Sequence, residues 1–412
     1  MGEVKETSHI ERRQDKSQVS LETILKAARC SRPVQGLTHT FYRYPARFSP
    51  SFARAAILAF TQPGDTVFDP FMGGGTTLVE ASALRRIAVG TDINPLATFL
   101  TKVKTTPLLE TELTEIKQWG ENLIPSLNLH SSCPRAINWA ASGHQRNING
   151  SKTWHIRKTL EIALRHVDEL GTLRQRQFAQ CVLLRTGQWA LDCRRAIPSV
   201  SQFRQQFLKY LLDMIDGARQ YAQVVNHVRG SSRGQTDGSA LCLTRSVIGV
   251  ETDPALLSAF PPALILTSPP YPGVHVLYHR WQVQGRKETP APFWIVGCPD
   301  GNGAAYYTFG DRKQPGLTSY YNNLMQAYSS LARVADRRTM LVQMVAFSNP
   351  AWQLRNYLNV LNAAGFREVK FSSIAKSGDG RIWRSVPHRK WYAEQHKRIT
   401  SRNEVVLFHR LA

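Results

Sequence analysis

A glycine-rich loop between a β-type run and a helical run is the feature that most restricts how this sequence can fold. Residues 66–69 (TVFD) are rich in strand-forming types, and three consecutive glycines follow at Gly73–Gly75. Apolar residues then recur at helical spacing before a second β-type run ends at Asp92. This strand–loop–helix–strand order predicts a doubly wound α/β fold. Thr77 and Glu80 also fit a T-x-x-E capping box, which predicts that they fix the helix start.

The same loop carries the groups that a nucleoside ligand requires. Glycines let a ligand approach the backbone, and free N–H groups at a helix start can receive a carboxylate or a phosphate. Asp92 lies 23 residues after Asp69, close to the ~20 residues expected before a carboxylate that binds a ribose diol. NAD and other nucleoside cofactors share this spacing, and a tight turn of any doubly wound fold also explains the glycines. No lysine follows them in the G-K-[ST] form, which disfavours a Walker-type ATP site.

A second motif, TSPPY at residues 267–271, directly follows the apolar run of residues 263–266. Ligands of open α/β sheets bind beyond the carboxyl ends of the strands. Prolines lack an N–H group and restrict φ, so the backbone dictates where the loop carbonyls and the Ser268 hydroxyl point. Tyr271 offers a flat face for stacking. A proline-terminated strand with an incidental tyrosine is the alternative, and the position at a strand end favours a functional site.

The charge of the chain indicates a polyanionic partner. Lysine and arginine number 52 against 30 acidic residues, a net charge of +22. Residues 131–250 contain 17 basic and 7 acidic residues, and the segment from Lys376 contains 9 and 3, so these two segments hold 16 of the 22 excess charges. Solvated helical faces would explain any one arginine, whereas residues 131–250 as a whole favour nucleic-acid binding. The basic and aromatic segment from Lys376 suits backbone contact and stacking, and equally the rim of a β-hairpin whose aromatic side chains pack inward.

Several other classes are poorly supported by the sequence. No apolar run approaches the ~18 residues of a membrane span, and the charged start does not fit a signal peptide. The six cysteines show no CxxC spacing, and the histidines form no HxH or HExxH arrangement. We therefore expect a cytoplasmic protein with reduced thiols, no metal and no membrane partner.

Together, DPFMGGGTT at residues 69–77 and TSPPY at residues 267–271 resemble the amino-group DNA methyltransferases, which use S-adenosylmethionine to methylate cytosine N4 or adenine N6. HTFYRYPARFSP at residues 39–50 also resembles a segment that lies beside the methionine end of the cofactor in many relatives. The resemblance covers roughly residues 37–100 and 260–410. The TSPPY form is most similar to the cytosine-N4 enzymes, whereas adenine-N6 enzymes more often have an acidic residue or Asn in place of Ser268.

The resemblance implies a Rossmann-like doubly wound methyltransferase sheet with a helical, basic insert between the cofactor motif and the catalytic motif. The motif order is that of subgroups whose target-recognition region lies in the middle of the chain. The expected divisions are an N-terminal arm (1–36), the cofactor-binding half (37–130), a helical basic insert for DNA and target recognition (131–250), and the catalytic half with a basic C-terminal segment (251–412).

Carried over to this sequence, the resemblance assigns the methionine part of the cofactor to the glycine loop, its ribose to Asp92 and its adenine to Ile93. Thr76 and Thr77 are expected near its carboxylate. The middle position, Gly74, departs from the family, where Ser is common. The full set of expected cofactor-binding residues is Asp69, Pro70, Phe71, Gly73, Gly75, Thr76, Thr77, Asp92, Ile93, Arg47 and Phe48.

The expected catalytic residues are Ser268, Pro269, Pro270 and Tyr271. An exocyclic amine is a poor nucleophile because its lone pair is conjugated with the ring. The Ser268 hydroxyl and the Pro269 carbonyl would accept hydrogen bonds from the amine, and Tyr271 would stack on a base flipped out of the duplex. No covalent base adduct is needed, so the absence of a well-placed catalytic cysteine disfavours a C5-cytosine mechanism.

The leading hypothesis is therefore a DNA cytosine-N4 methyltransferase, the modification enzyme of a restriction-modification system. Its expected partners are double-stranded DNA and a cognate restriction endonuclease. An adenine-N6 DNA enzyme, an RNA base methyltransferase and a catalytically idle nucleic-acid-binding scaffold stay open as alternatives, and a nicotinamide dehydrogenase does not fit TSPPY. The candidate nucleic-acid-binding residues are Arg157, Lys158, Arg174, Arg176, Arg194, Arg195, Arg389 and Lys390.

Overall fold

The structure is a computed structural model. It describes residues 21–30, 32–44, 48–130, 143–229, 240–272, 279–285, 287–301, 307–310, 314–371, 379–386 and 402–412.

A mostly parallel sheet of eight strands forms the centre of the molecule. The strands are β1 (Thr66–Asp69), β2 (Ile87–Asp92), β3 (Leu241–Thr244), β4 (Leu264–Thr267), β7 (Met340–Ala346), β8 (Phe366–Glu368), β9 (Ile382–Val386) and β10 (Arg402–Leu411), and β5 (Trp281–Val283) pairs with β6 (Lys287–Thr289) in a separate hairpin. The order in the sheet is β3-β2-β1-β4-β7-β10-β8, and β9 pairs with β10. Strand β10 runs antiparallel to both of its neighbours in this order, β7 and β8. The predicted doubly wound α/β sheet is confirmed.

The helices are α1 (residues 21–28), α2 (Pro50–Phe60), α3 (Thr76–Ala83), α4 (Pro95–Thr105), α5 (Glu110–Ser126), α6 (Trp154–His166), α7 (Leu173–Leu191), α8 (Val200–Arg229), α9 (Pro254–Leu257), α10 (Ala291–Val296), α11 (Gln314–Val334) and α12 (Pro350–Ala363). Several begin at side-chain caps that the sequence itself provides. Ser49 accepts a hydrogen bond from the Phe52 N–H group, with Pro50 as the first helical residue of α2. A cap of this kind satisfies one of the backbone donors that a helix start leaves without an intrahelical partner.

The two faces of the sheet bury different sets of helices. On β4, Leu264 and Leu266 belong to one apolar cluster and Ile265 to the other, as the alternation of a strand requires. The first cluster includes residues of α1, α2 and α3, and the second includes residues of α9, α11 and α12. Leu21 and Ile24 of α1 are buried in the first cluster, so this part of the expected N-terminal arm packs on the core.

The insert is helical, as predicted, and its helices share an apolar core with neighbouring elements. Helices α6, α7 and α8 bury residues together with α4, α5, α10 and the segment around Phe41. The chain then returns to the sheet at β3, which pairs with β2 in parallel. The helices that share this core begin before residue 131, the expected start of the insert, because α5 belongs to them. Gly120 of α5 faces Leu211 of α8.

Candidate functional site

A cavity of about 270 Å³ lies at the carboxyl ends of β1, β2 and β4. Both sequence motifs contribute to its wall, so residues nearly 200 positions apart meet where an open α/β sheet binds its ligands. The predicted residues in the wall are Pro70, Phe71, Gly73, Asp92, Ile93, Ser268, Pro269, Pro270 and Tyr271. The rest of the wall is formed by Tyr44, Asn94, Arg245–Ile248, Tyr307–Gly310, Tyr320 and Asn323.

The three glycines are required by the packing behind the loop. Gly73 and Gly75 have φ values of +46° and +75°, which disfavour other residues. A Cβ atom on Gly74 would lie 2.9 Å from the Cβ of Tyr44, and one on Gly75 would lie 2.7 Å from Oγ1 of Thr101. The departure at Gly74 therefore has a physical reason, because Tyr44 occupies the space that a serine side chain would need.

The Asp69 carboxylate is buried and forms its hydrogen bonds with other groups of the protein. It accepts hydrogen bonds from Thr77 and Thr267, each at 2.7 Å, and from the Phe71 N–H group at 3.2 Å. Burial raises its pKa to about 6. Asp69 thus joins β1, β4 and the start of α3, and it lies behind the cavity wall. Thr77 also donates to the Leu266 carbonyl, so its hydroxyl is committed to the sheet.

The predicted capping box at Thr77 and Glu80 is wrong. Helix α3 begins at Thr76 after Gly75, a left-handed residue without a side-chain cap. Glu80 accepts a hydrogen bond from His39 at 2.7 Å and one from Arg54 at 3.2 Å. Thr77 and Glu80 are both buried, and buried polar atoms require hydrogen-bond partners. In this fold those partners come from residues distant in sequence, and the local cap does not form.

Asp92 is the acidic group of the cavity wall. One carboxylate oxygen accepts from the Gly73 N–H group at 2.9 Å and the other from the Asn94 N–H group at 2.8 Å. Burial raises its pKa to about 6. Each oxygen of a carboxylate has about two acceptor positions, so Asp92 can accept two further hydrogen bonds from a diol. Ile93 and Phe71 provide apolar wall beside it.

The TSPPY loop is held by a chain of side-chain hydrogen bonds. Oγ of Ser268 lies 3.0 Å from the Tyr271 hydroxyl, which donates to Oε1 of Glu404 at 3.0 Å. Arg384 donates to Oε2 of Glu404 at 2.7 Å. On the other side, the Tyr320 hydroxyl donates to the Pro270 carbonyl at 2.8 Å. These bonds hold the side chains of Ser268 and Tyr271 and the Pro270 carbonyl in a loop that lines the cavity.

Comparison with known proteins agrees with the family that the glycine loop resembles. Residues 2–99 match the model of the N6/N4 family described as DNA methylase. The type II methyltransferase M.MvaI of Kocuria varians is 42% identical over 80 residues, covering 19% of this chain and 18% of that protein. The orphan methyltransferase M.BamHII of Bacillus amyloliquefaciens is 43% identical over 53 residues, covering 13% and 20%. The type II methyltransferase M.MjaII of Methanocaldococcus jannaschii is 33% identical over 66 residues, covering 16% and 12%.

The resemblance to the amino-group DNA methyltransferases is confirmed. The matched segments span a fifth or less of each of these curated relatives. Among solved structures, the rRNA methyltransferase aviRa of Streptomyces viridochromogenes aligns over 90% of this chain and 89% of its own, with 12% identity and a TM-score of 0.28.

Some residues that the methyltransferase resemblance assigns to the cofactor lie away from the cavity. Phe48 is buried against Phe52, with ring centroids 5.5 Å apart. Thr76 is buried at the start of α3 outside the cavity wall, as is Gly75. Arg47 lies outside the described residues.

Six of the eight residues proposed to bind DNA lie within the described residues, and four of these six contact other groups of the protein. Arg157 pairs with Glu161 at 2.7 Å and Arg174 with Glu112 at 2.6 Å. Lys158 donates to the Leu129 carbonyl, and Arg194 donates to the Trp189 carbonyl and lies over the Trp189 ring. Arg176 is half-buried and Arg195 is exposed. Arg389 and Lys390 lie outside the described residues. Sequence counting could not separate these internal contacts from surface charge.

Three side chains of the site, Tyr44, Tyr320 and Glu404, were not predicted from the sequence. Tyr44 lies within the segment of residues 39–50 that the family resemblance placed near the cofactor, whereas nothing local marks Tyr320 or Glu404. Within the described ranges, no group of three or more His, Cys, Asp or Glu side chains could hold a metal ion. No helix among those described is long and apolar enough to cross a membrane.

Proposed function

We propose that this chain transfers a methyl group from S-adenosylmethionine to the exocyclic N4 amine of cytosine in DNA. The observation that carries the proposal is the single cavity at the strand ends, which has Asp92 and Ile93 in one part of its wall and Ser268–Tyr271 in another. A nucleoside cofactor and a base amine can therefore meet there. The family match and the named relatives support the same reaction class.

The donor and acceptor groups of the cavity suit this cofactor. Asp92 retains acceptor positions for the ribose hydroxyls, and Ile93 and Phe71 offer apolar contact for the adenine ring. The exposed backbone of the loop at Gly73 faces the same space. When bound, S-adenosylmethionine supplies an electrophilic methyl group on its sulfonium. The remaining work falls to residues of this chain, which bind the base and orient its amine.

Ser268 and Pro269 act on the amine. The Ser268 hydroxyl oxygen and the Pro269 carbonyl accept hydrogen bonds from the two N–H groups of the amine. These bonds draw the nitrogen lone pair out of conjugation and towards the methyl donor. The Pro270 carbonyl is already bound by Tyr320, so the geometry of the loop is set before substrate arrives. Positioning of this kind supplies much of the rate in a direct displacement. The ring of Tyr271 stacks on the flipped base.

Cytosine N4 is the preferred target because Ser268 directly precedes the two prolines of the motif. Adenine N6 is the second candidate, since the matched family includes enzymes of both kinds. We assign the insert and the basic C-terminal segment to DNA contact, where the net charge of +22 favours phosphate binding. Because two of the relatives are named type II methyltransferases, we further propose a role in restriction-modification, with a cognate endonuclease as partner.

The test uses methyl-labelled S-adenosylmethionine and unmethylated genomic DNA, followed by digestion to nucleosides and mass analysis. We expect labelled N4-methylcytosine. Labelled N6-methyladenine would retain the reaction class and contradict the argument from Ser268. A Ser268→Ala variant purified in the same way controls for a contaminating methylase, because its label should fall to background. Labelling of RNA in place of DNA would refute the substrate, and no transfer to either would refute the reaction.

A further inference from the structure

We propose that Glu404 and Arg384 are positioning residues that set the direction of the Ser268 hydroxyl proton through Tyr271. This inference rests on the proposed function, because its consequence is the way in which Ser268 meets a substrate amine. None of the sequence motifs contains Glu404 or Arg384. They are carried by β10 and β9, whereas Ser268 and Tyr271 belong to the loop after β4.

The four side chains form one continuous hydrogen-bonded chain. Arg384 donates from Nε to Oε2 of Glu404 at 2.7 Å, and its Nη1 donates to the Ala28 carbonyl at 3.2 Å. Oε1 of Glu404 accepts from the Tyr271 hydroxyl at 3.0 Å, and the Tyr271 oxygen lies 3.0 Å from Oγ of Ser268. The side chains of Arg384 and Glu404 are 15% and 9% exposed, so water competes little for these bonds.

The number of protons in the chain determines its direction. An ionised carboxylate only accepts hydrogen bonds, whereas a phenol has one proton to donate. The Tyr271 proton therefore points to Glu404, and the Tyr271 oxygen is left as an acceptor towards Ser268. The hydroxyl proton of Ser268 then points to Tyr271. Its lone pairs are left for the cavity, whose wall Ser268 helps to form.

With its proton directed to Tyr271, the Ser268 hydroxyl can accept a hydrogen bond from the substrate amine. An exocyclic NH₂ group donates two protons, so a Ser268 hydroxyl that directed its own proton into the cavity would confront a donor with a donor. The carboxylate of Glu404 prevents that arrangement from two hydrogen bonds away. It also polarises both hydroxyls of the chain, which strengthens Ser268 as an acceptor. A neutral serine thereby gains part of the effect of a carboxylate at the same position.

The sharpest test is Glu404→Gln, which keeps size and removes the charge. Arg384 will hold the amide oxygen, so the amide NH₂ will face Tyr271 and donate to it. The Tyr271 proton is then directed to Ser268, whose own proton is released towards the substrate. We expect kcat for methyl transfer to fall about tenfold, equivalent to ~1.4 kcal/mol. The dissociation constant for S-adenosylmethionine and the KM for DNA should stay within about twofold.

Glu368→Gln is the matched control. Glu368 also binds an arginine, Arg381, through Oε1 at 2.6 Å, its side chain is 18% exposed, and its strand β8 pairs with β10 as well. The change is chemically identical and lies outside the cavity wall, so kcat should be unchanged. Melting temperatures of both variants report whether each one folds. A loss of kcat that is equal in the two variants would overturn the inference.

Tyr271→Phe provides a second, independent test. It breaks the chain and leaves the Glu404–Arg384 ion pair in place. If Glu404 acts only through Tyr271, adding Glu404→Gln to Tyr271→Phe should cost little further kcat. Losses that multiply in the double variant would overturn the relay. Failure of the wild-type protein to methylate any nucleic acid would refute the proposed function and the relay together, whereas wild-type activity with unchanged kcat in Glu404→Gln would refute the relay alone.

Discussion

Replacing Asp92 by asparagine tests how the cavity would hold the ribose of its cofactor. The carboxylate lies in the wall and accepts one backbone N–H group on each oxygen. A hydrogen bond to a charged group is worth about 1.5–3 kcal/mol, so loss of one to the ribose diol should weaken cofactor binding about ten- to a hundredfold. The dissociation constant for S-adenosylmethionine, measured by isothermal titration calorimetry, reports this change directly.

The pH dependence of the same affinity has a defined sign. Because burial raises the pKa of Asp92 to about 6, the carboxylate is mostly ionised at pH 8 and mostly neutral at pH 5. The ionised form is the better acceptor for the diol. Wild-type affinity should therefore increase as the pH rises through about 6 and then level off. In Asp92→Asn the contribution of this group is absent, and the profile should flatten.

Asp336→Asn is the appropriate control, because Asp336 also accepts two backbone N–H groups, from Arg338 at 2.8 Å and from Thr339 at 3.0 Å. It lies in a turn outside the cavity wall. Cofactor affinity in this variant should equal that of the wild type. An Asp92→Asn protein that melts normally and binds the cofactor with wild-type affinity would refute the ribose assignment.

Three further changes test the site, and a fourth measurement tests the basic surface. Burial raises the pKa of Asp69 to about 6 from an ordinary 3.8. The folded state therefore favours the neutral carboxyl group, and the wild-type protein loses stability as the pH rises between these two values. Denaturant titrations should therefore show the stability of Asp69→Asn, relative to wild type, rising by up to about 3 kcal/mol from pH 4 to pH 7. Gly74→Ala should lower the free energy of unfolding by about 1–3 kcal/mol, because its Cβ meets Tyr44 at 2.9 Å. Tyr320→Phe removes the donor to the Pro270 carbonyl and should lower kcat several-fold with unchanged cofactor affinity, whereas unchanged kcat would show that the loop needs no such anchor. Binding to duplex DNA should weaken steeply with salt, and a flat response would contradict the DNA assignment of the basic segments.

The strongly patterned parts of the fold were predictable from sequence. The run TVFD, the glycine loop and the run ending at Asp92 became β1, a loop and β2, paired in parallel as the order requires. Strand β3 extends this parallel pairing on the other side of β2. Each prediction depended on a backbone preference or an apolar period of a few residues, which neighbouring side chains determine locally.

Side-chain partners were predictable only in part. Thr77 and Glu80 satisfied a local rule, yet Thr77 donates to Asp69 and Glu80 binds His39 and Arg54. The insert shows the same limit, because a count of basic residues does not reveal that several of them hold the helices together. A buried polar atom takes whichever partner the fold brings to it, and that partner is often far away in sequence.

The sequence alone thus determined the class of fold, the two motifs and the kind of chemistry they suit, since these depend on residue types at short spacings. Only the tertiary structure decided which groups act together. Glu404 follows Tyr271 by 133 residues, and the two meet because β10 returns antiparallel beside β7, which itself pairs with β4. Strand pairing of this kind depends on burial summed over the whole sheet, so no short stretch of sequence specifies it.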